Sequence, residues 1–476
     1  MTAFAASPGI ERVDRVFVNR NLRLSGIDWV GFDMDYTLAI YDQAQMDTLS
    51  IELTARNMVK RGYPRYLERL AADTRFPIRG LLIDKRHGHI LKMDRYKVVH
   101  KGYHGMKRLP REELLELYHR RKIRPHTARY HWIDTLFALS EVTSYAAFIE
   151  AMERRGERVD YDRLFTDIRQ SIDEAHRDGT VYGIVTQELT RFITRDDELA
   201  RALHKFRSAG KRLFLLTNSP FSYTDAVMNH LIGTAMPEYP SWRHYFDVVV
   251  VSAQKPLWFN EGRPLMERDG EVLRNVRGPL ERGRVYEGGN LLDFERLLDI
   301  TGSSVLYVGD HIYGDMLRSK KESSWRTAMI IQELDAEVAA HEACARELLR
   351  QRELAEERDR IEDELRFHQA RFKALARHEG GGVEIEAEAT RTKRAVDRVR
   401  AALRQNEREY STLAEHVDQR FHPYWGSLLK EDAEMSMFGL QVETYSDIYT
   451  RRVSCLEGYS PQQFFRSPHD LMPHEL

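Results

Sequence analysis

Residues 26–38 read Gly26-Ile27-Asp28-Trp29-Val30-Gly31-Phe32-Asp33-Met34-Asp35-Tyr36-Thr37-Leu38. An apolar run ends in two carboxylates spaced two residues apart. A strand buried on both faces has no use for them, because an unpaired carboxylate is costly to take out of water. They are either a solvated strand end or a pair arranged for chemistry. Alone, an Asp-x-Asp at a strand end is more often a turn or a cap, so the decision rests on what the rest of the chain brings to it.

Further apolar, β-branched runs lie at 213–216, 248–251 and 305–308, with another at 327–331. Helical patterns flank them, and the alternation predicts an α/β fold around a parallel sheet with helices on both faces. About 180 residues separate the first run from the second, far more than one crossover needs, so a unit is inserted there. It holds a hairpin pattern over 79–99 and helical patterns from 111 to 194, and we read residues 43–194 as a cap domain. The core then takes 1–42 and 195–335. After Glu333 the chain becomes rich in Ala, Glu, Arg and Leu, with a break at Gly380-Gly381-Gly382. Ile361, Leu365, His368, Phe372 and Leu375 step by four and three. Val396, Val399, Leu403, Asn406, Tyr410, Leu413 and Val417 do likewise on the far side. This predicts an antiparallel, coiled-coil-like helical hairpin over 336–420. A helix pair packed on the body and an oligomerisation arm are equal readings of it. The aromatic-rich tail 421–476 is expected to fold back on the core.

A length of 476 residues suits two to four domains. The 72 basic and 74 acidic side chains nearly cancel, which excludes a general electrostatic partner such as nucleic acid or a membrane surface. Any anionic substrate must be attracted locally. Cys344 and Cys455 are too few for a disulfide framework and have no metal-type spacing. No apolar run has the length of a membrane span, and the first residues lack a signal-peptide core. The expectation is a soluble, cytoplasmic protein.

Ligands of open α/β sheets bind beyond the carboxyl ends of the strands. The first run delivers Asp33 and Asp35 there, the second Thr217-Asn218-Ser219, the third Gln254-Lys255-Pro256. The fourth delivers Gly309-Asp310, followed by Asp315. Together they suit a single chemical operation, in which a phosphate is held beside Mg²⁺ and transferred to a carboxylate. Mg²⁺ prefers a few carboxylates plus substrate oxygens and water; Asp33 and Asp310 can supply side-chain oxygens and Asp35 its backbone carbonyl. The metal would keep Asp33 ionised as the nucleophile and neutralise the phosphate under attack. Thr217, Asn218 and Lys255 would hold the remaining phosphoryl oxygens. Asp35, on the same side as Asp33 while the chain stays extended, would protonate the leaving oxygen and later activate water. Asp315 would orient either Lys255 or a metal-bound water. Each motif alone is weak; found in this order at successive strand ends, the set leaves little room for coincidence.

These DxDxT, TNS, KP and GDxxxxD signatures resemble the haloacid dehalogenase superfamily. The longer stretches "FVNRNL", "GFDMDYTLAIY", "TNSPFSYTD", "KPLWF", "YVGDHIYGDMLRSKK", "WRTAMII" and "LMPHE" resemble the cytosolic purine 5'-nucleotidases within it. The resemblance runs from about Phe17 to the end, apart from 336–417. It implies a Rossmann-like core, an inserted mixed α/β cap and a Mg²⁺-dependent phosphatase for inosine and guanosine monophosphates. Transfer of the phosphate to a nucleoside acceptor and a homo-oligomeric state are implied with it.

In "DIRQSIDEAHRDG", Leu164, Ile168, Ile172 and Ala175 form a packing stripe, while Arg169, Asp173 and His176 share the adjacent one. Spacing alone favours an exposed Arg169–Asp173 ion pair with a solvated histidine. The resemblance implies instead that these three read the purine base, with Phe137 stacking on it. It also marks departures. Tyr182 stands where the family has a further lysine, which bears on base preference. Asp134 and Ala138 stand where its adenine-nucleotide effector region has asparagines. Two other functions stay open on the sequence: a phosphatase of the same fold for another phosphomonoester, and an idle site on an interaction protein that works through its hairpin.

Overall fold

The apolar run before Asp33 becomes a four-residue strand with every residue buried, at the centre of a sheet where only a side-chain-free position fits one neighbour. A Cβ on Gly31 would lie 2.0 Å from the Phe214 ring of the adjacent strand. This computed structural model describes residues 9–119, 123–233, 235–377, 383–468 and 475. Among them the large sheet has ten strands: β1 (Phe17–Val18), β2 (Trp29–Phe32), β3 (Arg212–Leu216), β4 (Val248–Val251), β5 (Leu265–Asp269), β6 (Val272–Asn275), β7 (Val285–Gly288), β8 (Val305–Gly309), β9 (Arg326–Ile330) and β10 (Ile448–Thr450). Their order is β1-β10-β9-β8-β2-β3-β4-β7-β5-β6.

The seven strands from β10 to β7 run parallel, and antiparallel strands flank them at both edges. The chain leaves β2 for β3 on one side and returns to β8 on the other. The sheet therefore reverses its winding at β2, and a crevice opens beyond the carboxyl ends of β2, β3 and β8. The parallel sheet expected from the sequence is present, and it is longer than expected. Strand β5 is rich in charged residues, β6 and β7 are four residues long with a charge in each, and β10 has three residues, so none carries the long apolar signal of the centre.

The chain between β2 and β3 forms the mixed α/β cap that the sequence predicts. Its antiparallel sheet has five strands, in the order Lys107–Arg108, Val99–His104, His89–Met93, Leu81–Asp84 and Tyr130–Ile133. The first helix after the cap's entry, α1 (Gln43–Lys60), starts at Asp42, whose side chain accepts from the Gln45 N–H. Helix α2 (Leu139–Glu153) is mostly buried. Helix α3 (Tyr161–Arg177) packs against both, with Leu164, Phe165, Ile168, Ser171, Ile172 and Ala175 on its buried face. A short helix, α4 (Thr180–Gln187), follows Gly179.

The chain divides into two compact units, Met1–Asp335 with Leu428–Leu476, and Ala336–Ser427. The second contains the paired helices α6 (Ala345–Ala376) and α7 (Val383–Phe421), after α5 (Leu334–Ala343), which straddles the division. Arg350 pairs with Glu409 and Arg371 with Glu388, which makes the pair antiparallel, as expected. Leu354, Val396, Val399, Asn406 and Val417 are buried, and Asn406 donates to the Leu354 carbonyl at 3.1 Å. The Gly380–Gly382 break and most of "LMPHE" lie outside the described residues.

Candidate active site

Residues from three strands and the loops after them meet around one ammonium group. Lys255 Nζ lies 2.9 Å from Asp33 Oδ1 and 2.7 Å from Asp315 Oδ1, and donates to the Tyr307 hydroxyl at 2.9 Å. Asp33 follows β2 and its N–H bonds to the Val308 carbonyl of β8; Thr217 follows β3 and its N–H bonds to the Val250 carbonyl of β4. The ladder bonds thus bring the loops to one level. Asp310 and Asp315 arrive from β8. A Cβ on Gly309 would stand 2.6 Å from Asp315 Oδ2, so this glycine makes room for Asp315. Asp33, Asp310 and Asp315 offer carboxylate oxygens within 4.8 Å of one another, a cluster of the size that holds a metal ion. Asp310 Oδ2 is buried without a hydrogen-bond partner among the described residues.

The electrostatics follow from burial. It pushes the Asp33 carboxyl well above its ordinary range, with Lys255 opposing and Asp315, Asp310 and Asp35 adding to the rise. Burial, then Asp315, takes Asp310 up to about 7. For Lys255 burial works towards the neutral amine, yet Asp315 and Asp33 hold it well above its ordinary value. One ammonium among crowded carboxylates leaves the cluster short of positive charge.

Asp35 reaches the site differently from the expectation. The strand stops at Phe32 and the chain turns, with Tyr36 at φ 57, so alternation along an extended strand does not place Asp35 beside Asp33. Its two carboxylate oxygens instead accept from the Tyr41 hydroxyl and Ser219 Oγ, both at 2.6 Å. Tyr41 in turn shares a 2.8 Å hydrogen bond with Tyr223. Burial raises the Asp35 carboxyl, and these two hydroxyls oppose the rise.

Asn218 is also corrected. Its side chain, expected on the phosphate, clasps the Lys255 backbone, accepting from its N–H at 2.6 Å and donating to its carbonyl at 3.0 Å. Strand β4 has ended at Val251, so the Lys255 main chain needs partners from elsewhere. Thr217 is fully buried, and its Oγ1 accepts from the Ser219 N–H at 3.1 Å.

In the cap, the Arg169–Asp173 pair favoured by spacing does not form. Arg169 turns towards Glu141 of α2, with Nε 3.5 Å from Oε2, and its NH1 lies 3.4 Å from His131 Nδ1. Asp173 is exposed and has no ion pair among the described residues. Burial brings Glu141 up to about 7 despite Arg169, and lowers His131 to about 4. Phe137 packs edge-on against Tyr36, with ring centroids 4.6 Å apart, and against His176 at 5.9 Å. Burial lowers the His176 imidazole, and the charges of Asp173 and then Asp35 oppose it. Tyr182 follows, 6.1 Å from His176 and 4.6 Å from Tyr223. These rings line the way from the cap helix to Asp35. Asp134 lies 3.4 Å from His311, which it helps raise to about 9 against the effect of burial. Sequence reasoning missed Tyr41, Ser219, Glu141, His131 and Tyr307. Ser219, Tyr41 and Tyr307 stand inside quoted motifs, whereas Glu141 and His131 had no local signal.

With this geometry in view, the sequence profile described as "5' nucleotidase family" matches residues 16–476. The chain belongs to the 5' nucleotidase family. It is accordingly a phosphoric monoester hydrolase of the phosphatase and nucleotidase kind. The 5'-nucleotidase domain-containing protein 2 of Rattus norvegicus is 29% identical over 482 residues, covering 97% of this chain and 80% of its own. Its Homo sapiens counterpart is 29% identical, with 97% and 85% covered. Among solved structures, CbbY from Rhodobacter sphaeroides in complex with phosphate matches at 13% identity and a TM-score of 0.22, covering 64% of this chain and 86% of that one. The 2-haloacid dehalogenase from Pseudomonas syringae pv. Tomato DC3000 matches at 15% identity and a TM-score of 0.22, with the same coverage. Among the described residues no helix is long and apolar enough to cross a membrane.

Proposed function

We propose that this 5' nucleotidase family member hydrolyses purine nucleoside 5'-monophosphates, with inosine and guanosine monophosphates as preferred substrates, in a Mg²⁺-dependent reaction. The observation that carries the reading is the meeting of two sets of residues: Phe137 and His176 of the cap close on the loop that holds Asp35 and Tyr36. A base held by the cap would thus lie next to the phosphoryl chemistry.

The oxygen-only donor set and the orphaned Asp310 Oδ2 fit Mg²⁺, with Asp33 and Asp310 as the residues that hold it. When bound, the metal supplies the positive charge that the carboxylate cluster lacks. The chain's own residues do the rest. An oxygen of Asp33 attacks phosphorus, the bond from phosphorus to the 5'-oxygen breaks, and Asp35 gives that oxygen its proton. This leaves an aspartyl-phosphate on Asp33 and a carboxylate at Asp35. Asp35 then takes a proton from water as its oxygen attacks phosphorus, and Asp33 is released. A nucleoside hydroxyl entering in place of water makes the second step a phosphotransfer. Lys255, braced by Asp315 and Asn218, neutralises the phosphoryl oxygens, and Thr217 donates to them.

On the base, Arg169 would donate to the 6-oxo group, Asp173 would accept from ring N–H or a 2-amino group, and Phe137 with His176 would enclose the ring. Tyr182 replaces a cation with an aromatic wall here, and that favours a neutral ring over a charged group. The test is phosphate release from purine and pyrimidine monophosphates and sugar phosphates, with and without Mg²⁺. Selective, Mg²⁺-dependent release from inosine and guanosine monophosphates, lost in Asp33→Asn, supports the proposal. Release from a sugar phosphate alone would overturn it in favour of another phosphomonoester.

A further inference from the structure

Arg79 is a fully buried cation that none of the steps above uses. It stands just before the first long cap strand, Leu81–Asp84, where its guanidinium meets two groups of the core. Nε and NH2 donate to the two oxygens of Glu333 at 2.7 and 2.6 Å, and NH1 donates to the backbone carbonyl of Asp310 at 2.8 Å. The guanidinium also lies 4.8 Å from the centre of the Phe438 ring. A planar fork fixed by a bidentate carboxylate has little freedom left, so its third bond holds the Asp310 main chain in one position. The residue next to Glu333 does the same to the other loop. Gln332 Nε2 donates to the Tyr36 carbonyl at 3.0 Å, at the residue with positive φ that ends the Asp33–Asp35 turn.

We propose that Gln332, Glu333 and Arg79 form a clamp that positions the metal-holding groups. Two adjacent side chains, on the last turn of chain before helix α5, grip the backbone beside Asp35 and, through Arg79, the backbone of Asp310. They touch neither substrate nor Lys255, so they are positioning residues. The inference rests on the Mg²⁺ reading given above. The clamp fixes carbonyls rather than carboxylates, so its loss leaves every ligand in the chain but lets the two loops drift apart. Metal affinity falls, and base recognition is untouched.

The test uses the full chain with Glu333→Gln and Gln332→Ala, checked for folding by thermal melts. Gln332→Ala removes a single, partly exposed donor and keeps the test alive if Glu333→Gln fails to fold. Mg²⁺ binding is measured calorimetrically without nucleotide, and Mg²⁺ is titrated against phosphate release from a purine monophosphate. Removing such supporting partners typically weakens a metal site by about tenfold or more, and that rise in half-saturating Mg²⁺ is expected in both readouts. KM for the nucleotide at saturating Mg²⁺ should stay within about twofold of wild type. Unchanged Mg²⁺ affinity in folded variants, or a change confined to nucleotide KM, overturns the clamp. Wild-type protein that binds no Mg²⁺ and releases phosphate in chelator overturns the metal reading itself, and is recognised before any variant is made.

Discussion

Lys255 Nζ stands 2.9 Å from Asp33 Oδ1, so the proposed nucleophile is paired with a cation before any substrate arrives. The same ammonium is 2.7 Å from Asp315, and all three groups are shielded from solvent. Lys255 therefore serves two ends: it favours ionised Asp33, and it balances carboxylates that would otherwise repel one another.

Replacing Lys255 separates the two. Lys255→Met should lower kcat by about 10²–10³, the usual loss for one charge-stabilising donor. It should also destabilise the fold, because breaking a buried pair typically costs about 3–5 kcal/mol. Adding Asp33→Asn to Lys255→Met should recover part of that stability and none of the activity. Urea unfolding and phosphate release on the same three proteins check this. A double variant no more stable than Lys255→Met would show that the two charges are not coupled.

Asp35 has both oxygens engaged by hydroxyls, Tyr41 and Ser219. Tyr41→Phe should reduce kcat by roughly tenfold, as expected for losing a hydrogen bond to an ionised group, with KM little changed. A rise in KM with kcat intact would mean that Tyr41 serves substrate binding and not Asp35.

Which of these residues a reader of the sequence can find depends on how each is supported. Asp33, Thr217 and Asp310 follow apolar strands directly and Lys255 lies in the loop after one, so local pattern and sheet topology together predict where they meet. Ser219, Glu141 and Arg79 act through partners well removed in the chain, and no periodicity encodes such a meeting; Arg79 and Glu333 are 254 positions apart. Asn218 eludes the sequence because its motif shows the residue but not the bare Lys255 backbone it must satisfy. Arg169 and Asp173 have the spacing of a helical ion pair, but buried Glu141, on another helix, competes for the arginine and wins. Strands such as β10 are too short and too polar at their flanks to stand out.

That competition makes Glu141 a positioning residue for base recognition. Glu141→Gln should raise KM for a purine monophosphate by about tenfold, the scale of one charge-assisted contact. Arg169→Ala should do the same or more. Neither should alter the rate with p-nitrophenyl phosphate, which has no purine to read. Equal losses with both substrates would remove Arg169 and Glu141 from base reading.

Asp47 gives a pH signature independent of catalysis. It is buried in α1, where Gln43 Nε2 donates to Oδ1 at 2.9 Å while Oδ2 has no hydrogen-bond partner among the described residues. Burial, opposed only by Gln43, raises its carboxyl to about 8. In the unfolded chain the group titrates at about 4, so between these values the folded protein holds a proton that the unfolded chain has released. Stability from this group is complete below the unfolded value and is lost as pH rises, by about 1.4 kcal/mol per pH unit, until the folded value is passed. Asp47→Asn, which needs no proton, removes that slope. Urea unfolding at about pH 5 and about pH 7.5 should therefore show the wild type losing stability relative to the variant as pH rises. Parallel behaviour of the two proteins would mean that Asp47 ionises normally in the fold. Gln43 Nε2 also donates to the Leu136 carbonyl at 3.1 Å, beside Phe137, so the variant should be assayed for nucleotide KM as well. Because the amide oxygen introduced by Asp47→Asn can still accept from Gln43, KM should stay near the wild-type value while the pH dependence of stability changes.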